Sequence, residues 1–381
     1  MALNTVSSDR LSTNVKNTNF TAAEKQDLTN DILPLAPQFG QSKNLIINGA
    51  MQVAQRGTSS TSSSYRTVDR FITGHGGTDE SPTQAQHTLT SSDTGPYAEG
   101  FRFSYHITNG NQTSGAGAAD NIYIRQRIEA QNVATSGWDY TSTSSFITLQ
   151  FWVKSSVAQN FYGYLRTADG TSQRYAFETG SLSANTWTKI TKTVPGNSNL
   201  QIDNNNENGL EVVIIPFWGT DQTDPGVTLN AWGAFSTSTR TPDSTSTWYT
   251  TNDATFEITG VQLEVGSVAT DFEHRSIGQE LHLCKRYYQS YQPYYNAAQY
   301  LITNEIASNT VFFHPEMRAT PTATHGQLEC RENSDGFTAV SVSSNYLLNS
   351  KGINFVVTKT GAATSDSFII FVNNAEYGAE L

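Results

Sequence analysis

The feature that most narrows what this chain can fold into is a two-residue period that begins near Lys43 and recurs in segment after segment. In GFRFSYHIT, Phe101, Phe103, Tyr105 and Ile107 fall on one face, with Arg102, Ser104 and His106 on the other. NIYIRQRIEAQ sets Ile122, Ile124 and Ile128 against Tyr123, Arg125, Arg127 and Glu129. FITLQFWVKSS sets Leu149, Phe151 and Val153 against Gln150, Trp152 and Lys154. FYGYLRTADG, RYAFETG, WTKITKTV, LEVVIIPFW and TFEITGVQLEVG continue the series, separated by Gly, Asn, Asp and Ser turns. Successive strand side chains point to opposite faces, so many short strands with one apolar face each predict an antiparallel sandwich with a filled core. The charged fraction of 15% agrees, because Ser, Thr, Asn, Gln and Gly take the outward places that Lys and Glu hold in most globular chains.

The alternation breaks at HRSIGQELHLCKRYYQSY, His274 to Tyr291. Read as a helix, this stretch puts Ile277, Leu281, Cys284 and Tyr288 on one face, with Tyr287 beside them, and Gln279, His282, Lys285, Arg286 and Gln289 opposite or flanking. QYLITNEIASNTVFF, FTAVSVSSNYLLNS, GINFVVTKT and SFIIFVNNAEYG then supply further strands. The expected organisation is all-β. Residues 1–42 form a mostly extended arm with one short helix, capped by Thr21 and Glu24 and closed by Pro34. Residues 43–275 form a jelly-roll-like antiparallel β-sandwich, 276–291 a helical joint, and 292–381 a smaller C-terminal β-sandwich. The polar insert from Leu229 to Asp253 reads as a loop at a sheet edge, with Trp232 and Trp248 in contact with the body.

The balance of 23 basic against 34 acidic side chains, a formal net charge of −11, argues against a nucleic-acid or anionic-membrane surface. No stretch approaches about 18 consecutive apolar residues, so membrane insertion is not expected, and the first residues lack a signal-peptide pattern. No nucleophile-elbow, zincin, phosphate-loop or dinucleotide fingerprint occurs. His282 and Cys284, two apart on a helix, point to different sides and cannot act as base and nucleophile together. Cys284 reads as a small buried apolar residue, and with Cys330 it makes neither a metal motif nor a disulfide framework. Glu129, Glu211, Glu257 and Glu264 fall on strands where solvated outward positions are expected. These residues together predict a protein without enzymatic activity and without a cofactor.

One constellation remains. Tyr123, Trp152, Tyr162 and Tyr164 sit opposite the apolar faces of their own strands, in company with Arg125, Arg127 and Arg166. If these strands are neighbours, the result is an aromatic and basic patch on one sheet. Such a patch suits a saccharide, and equally suits contact with another subunit or with the C-terminal domain.

Three stretches carry a resemblance. NLIINGAMQVAQRG, FEITGVQLEVGSVATDFEHRS, and GQELHLCKRYYQSY followed by HPEMRATPT look like a segment order found in bacteriophage tail-fibre and related virion appendage proteins. The part between them resembles jelly-roll carbohydrate-binding modules, covering roughly residues 43 to 325. The resemblance implies a non-enzymatic virion protein that assembles in a host cytoplasm, joins the particle through residues 1–42, and attaches to a host-surface glycan. It also implies a homotrimer, with the 276–291 joint at its contacts. A capsid decoration or adaptor protein would share these features, and a polysaccharide depolymerase and a free carbohydrate-binding protein are two rival classes. Modules of this layout often hold a structural calcium, and Asn48, Glu257 and Glu264 are the nearest equivalents here. The Asp that many relatives carry after the first Asn-Gly is replaced by Ala50-Met51.

Overall fold

The computed structural model describes residues 43–303, 306–324, 328–332, 338–342, 347–358 and 367–381. The expected attachment arm, 1–42, and its short helix lie outside them. Two six-stranded antiparallel sheets face each other. The first runs in the order β1 (Ser59–Ser60), β3 (Thr83–Thr88), β4 (Phe103–Thr108), β12 (Thr255–Val265), β6 (Phe146–Ser155), β9 (Thr188–Pro195). The second runs β11 (Trp232–Ala234), β8 (Gln173–Ser181), β7 (Asn160–Thr167), β10 (Asn208–Trp218), β5 (Asn121–Glu129), β2 (Ile72–Gly76). Neighbours within each sheet are mostly distant in sequence because the chain crosses repeatedly from one sheet to the other, which is the jelly-roll habit.

The apolar halves of the alternating segments meet between the sheets. Tyr105, Ile107, Leu149, Phe151, Val153, Phe256 and Ile258 of the first sheet pack on Ile122, Ile124, Ile128, Phe161, Leu165, Val212 and Ile214 of the second, all nearly inaccessible to solvent. Two bulges correct the period where it would fail. In β10 the register shifts between Ile214 and Phe217, at Pro216, which has no N–H to give the ladder. Phe217 therefore stays in the core, stacked on Tyr249 at 4.2 Å, while Trp218 turns outward. In β12 the shift falls between Thr259 and Gln262. It is opened by Gly260 at φ +62°, where a Cβ would lie 2.7 Å from the Phe101 ring.

The insert at 229–253 is more ordered than a polar loop. It contributes β11 and a single helical turn, and Trp248 and Tyr249 of that turn are fully buried. Trp232 packs edge-on to Tyr175 and donates its indole N–H to the Pro195 carbonyl at 2.7 Å. Among the described residues, two short helices precede the joint: α1 (Ala130–Ala134) and α2 (Thr247–Thr250).

The joint helix α3 (Ile277–Lys285) starts at Ser276 with a capping box closed by Gln279. It ends sooner than the sequence suggests. Tyr288 already opens β13 (Tyr288–Thr303), so it does not share a helical face with Ile277, Leu281 and Cys284. The buried stripe is Glu280, Cys284 and Tyr287 instead, while Ile277 is 58% exposed. A carboxylate in that stripe hides it from a hydrophobicity reading.

β13 leads into a second β body with β14 (Ile306–Phe312), β15 (Thr322–Thr324), β16 (Leu328–Glu332), β17 (Thr338–Val342), β18 (Leu347–Asn349), β19 (Gly352–Thr358) and β20 (Ser367–Gly378). Its ladder follows β13-β14-β19-β17-β16-β20 and returns to β13, which pairs with β20 from Tyr288↔Gly378 to Tyr300↔Ser367. The pairing thus closes on itself, and closure removes the open edges that a free sheet would present.

What holds this body to the sandwich is a set of buried charges at the joint. The Arg70 guanidinium, 1% exposed, pairs with Glu380, donates to the Arg127 carbonyl at 2.7 Å and lies 3.4 Å above the Tyr287 ring. Arg56 reaches Glu380 at 3.1 Å and covers the Tyr288 ring at 3.5 Å. Glu129, at the end of β5, receives Arg286 through two N–H groups at 2.7 and 2.8 Å and the Tyr287 hydroxyl at 2.6 Å. Arg318 donates to the carbonyls of Asn206, Ala379 and Glu380. Cys284, Tyr287 and Tyr288 are buried within the chain at this joint.

Asp69 belongs to the same joint, accepting from the Gln55 backbone at 3.0 Å. Burial pushes its carboxyl up from 3.8 to about 6, against the opposing pull of Arg56. The folded chain therefore binds this proton more tightly than the unfolded chain. The stability Asp69 contributes is full below its unfolded value and is lost as pH rises through about 6. Urea midpoints at pH 5 and pH 7 are expected to show the wild type gaining roughly 1 kcal/mol more on acidification than Asp69→Asn. Equal slopes for the two proteins would contradict this.

Candidate functional site

The outer face of the second sheet is built by the polar halves of β5, β10 and β7 in register. Glu211 stands directly across from Arg127 on one side and Arg166 on the other; Val213 stands between Arg125 and Tyr164; Ile215 is opposite Tyr162. Six of the seven patch residues expected from the sequence are thus brought together: Tyr123, Arg125, Arg127, Tyr162, Tyr164 and Arg166. Trp152 is not among them. It projects from β6 of the first sheet, under the 90–101 loop, with its indole N–H on Glu99 at 3.0 Å. Alternation tells which face of its strand Trp152 occupies, but not which sheet the strand joins.

Glu211 is the centre of the patch and has no solvent exposure. Three guanidinium groups share its carboxylate, Arg166 at 3.1 Å, Arg127 at 3.5 Å and Arg125 at 3.8 Å. These arginines keep 16–28% of their side-chain surface in solvent, so they hold one end in the sheet and offer the other outward. Around them lies an aromatic floor. Tyr164 and Trp218 are buried with centroids 5.7 Å apart, and Tyr123 meets Trp218 edge-on at 5.7 Å. Phe235 and Arg240 come from the insert. Arg166 lies 4.1 Å over Phe235, and Arg240 lies 4.6 Å over Trp218. Tyr123 and Tyr162 are only half-buried. Tyr123 lies flat over the neighbouring strand because Gly74 is its cross-strand partner; a Cβ there would fall 2.1 Å from the Tyr123 Cζ. Burial raises the Tyr164 phenol well above its ordinary range, and burial with Glu178 nearby raises Tyr162, so both rings are neutral at physiological pH.

Phe235, Trp218, Arg240 and Gly74 are members that sequence reasoning missed. The signal for Trp218 is Pro216, whose bulge reverses the faces of β10; the other three depend on tertiary contacts that no local pattern carries.

The carboxylates expected in solvent are all buried and bound. Glu129 is held below the usual carboxylate range: burial works against ionisation, but the hydrogen bonds from Arg286 and Tyr287 outweigh it. Glu257 is driven still further down, with burial opposed by His106, Ser104 and Lys154. Glu264 takes the backbone and hydroxyl of Thr270, at 2.8 and 2.6 Å. The residues that the resemblance offered to calcium do not form one site. Asn48 donates to the Val53 and Asp69 carbonyls and accepts from the Val53 N–H, which pins the 48–53 turn. Glu257 and Glu264 turn to separate partners, so the three oxygens do not converge on one ion.

No protein-family model matches the chain, and no curated protein matches it. Solved structures with distant likeness include the enzymatically active domain of tailspike protein 4 of bacteriophage CBA120, at 10% identity and TM-score 0.31, spanning 59% of this chain and 22% of that one. A putative sugar-binding protein from Bacteroides thetaiotaomicron matches at 12% identity and TM-score 0.30, over 58% of this chain and 100% of that one. The N-terminal cellulose-binding domain of a Cellulomonas fimi β-1,4-glucanase matches at 8% identity and TM-score 0.27, over 57% and 99%. Likenesses this distant assign no activity. The chain's own geometry defines an all-β protein with a jelly-roll-like sandwich.

Proposed function

We propose that the outer face of β5, β10 and β7 is a glycan-recognition platform, and that the chain is a virion appendage protein that attaches a phage to its host's surface. The observation that carries this reading is the row of three arginines ordered by one buried Glu211, flanked by the half-buried rings of Tyr123 and Tyr162. Flat rings give the apolar contact that the C–H faces of a pyranose need. Guanidinium forks give paired donors for sugar hydroxyls, and above all for the carboxylates of acidic sugars. Because Glu211 already hydrogen-bonds the Arg166 fork and draws Arg125 and Arg127 to ion-pair distance, less side-chain freedom is lost on binding. The segment order resembling virion appendages supports the particle setting. In a homotrimer, three such platforms would turn weak sites into avidity.

The test is a glycan array with host surface polysaccharides, repeated with Tyr123→Ala and Tyr162→Ala. Each variant is expected to bind at least about tenfold more weakly, a loss of about 1.4 kcal/mol, while keeping its melting temperature. Wild-type binding that both variants retain would move the platform to protein contact and favour an adaptor or decoration role. Release of reducing ends from a bound polysaccharide would make the chain a depolymerase.

A further inference from the structure

The first sheet carries an unrelated constellation on its outer face. His87 of β3, His106 of β4 and Glu257 of β12 lie on three adjacent strands, Glu257 directly across from His106 and His87 one step along the ladder. Their nitrogen and oxygen ligand atoms all lie within 4.8 Å of one another. His87 Nδ1 is 3.1 Å from Glu257 Oε2, and His106 Nδ1 is 3.4 Å from Oε1. The His106 Nε2 is engaged by the Thr108 hydroxyl at 3.0 Å, while its Nδ1 is buried without a hydrogen-bond partner.

We propose that these three side chains bind a divalent first-row transition metal, with zinc the expected ion. A tetrahedral site with bonds of about 2.0–2.1 Å separates its ligand atoms by roughly 3.3 Å, the spacing at which both imidazoles face the carboxylate. The accounting of Glu257 agrees. A carboxylate has about four acceptor positions; Ser104 takes one at 2.7 Å and Lys154 another at 2.9 Å, and the remaining two face the imidazoles. Lys154 does not block a cation, because Asp93 balances its ammonium at 3.0 Å. Ser104, Thr108 and Lys154 then serve as the outer supports that fix ligand orientation. Two nitrogens and one oxygen donor exclude calcium, which takes about six to eight oxygens. His87 is 50% exposed, so the fourth position opens to solvent and can accept water or an oxygen of a bound molecule. The site is on the sheet opposite the glycan platform and does not depend on it.

The experiment is calorimetric titration of zinc chloride into the untagged full chain at about pH 7.5, beside visible spectroscopy of the cobalt(II)-loaded protein. One equivalent of zinc and a tetrahedral cobalt spectrum are expected for the wild type. His87→Ala, a change at a half-exposed position, is expected to keep the melting temperature and to lose at least tenfold in zinc affinity along with the cobalt bands. No zinc uptake by the wild type, or uptake and spectrum unchanged in His87→Ala, would overturn the assignment.

Discussion

Arg70→Ala is expected to lower unfolding stability by about 3–5 kcal/mol, because it breaks a buried ion pair from one side. The Arg70 side chain is 1% exposed and Glu380 is 11% exposed, so among the described residues the abandoned carboxylate keeps Arg56 as its ion-pair partner. The same substitution removes the cover of Tyr287 and the donor to the Arg127 carbonyl. These are the contacts that tie the last residues of the chain to the sandwich, so the second β body should loosen first, and limited proteolysis should cut it before the sandwich. Arg70 also sits at φ 72°, a conformation in which alanine is no easier than arginine. Arg70→Gly relieves that strain and isolates the side-chain loss; it should still be destabilised, by somewhat less. Urea denaturation that puts Arg70→Ala within about 1 kcal/mol of wild type would show that the joint is held by its apolar contacts alone.

Glu211→Ala should be comparably severe, about 3–5 kcal/mol, and should abolish ligand binding as well. Its carboxylate has no exposure and is the shared counter-ion of Arg125, Arg127 and Arg166. Removing it leaves three like charges, Arg125 and Arg127 on β5 and Arg166 on β7, facing one another across β10 without the carboxylate that stood between them. Glu211→Gln keeps the shape and one acceptor oxygen but not the charge; it should recover part of the stability and little of the binding. If Glu211→Ala binds glycan as the wild type does, the arginines are not ordered by this residue and the platform is wrongly drawn.

Much of this architecture was legible in alternation alone, because period two follows from strand geometry. The alternating segments are β4 to β10 and β12, and their apolar halves are the core. β3 is hard to see because TQAQHT has no apolar face to betray it. The patch was legible as a set of outward residues, since each strand declares its own two faces. Its membership was not, since the order of strands in a sheet is a long-range property; Trp152 belongs to the opposite sheet for that reason. Burial of the glutamates is hidden in the same way. Glu129 finds Arg286 and Glu211 finds Arg166 across long stretches of chain, and an outward position that meets three arginines is not a solvated one. At the joint, Glu280 occupies the inward stripe and Ile277 the outward one, the reverse of what side-chain polarity suggests.

Recognition on the β5–β10–β7 face is tested most directly by calorimetry with the best array glycan, comparing Tyr123→Ala/Tyr162→Ala with Trp152→Ala. The double variant is expected to lose at least about 2 kcal/mol of binding free energy while Trp152→Ala binds as the wild type does. Binding that survives the double variant and falls in Trp152→Ala would contradict the platform and place recognition on the opposite sheet.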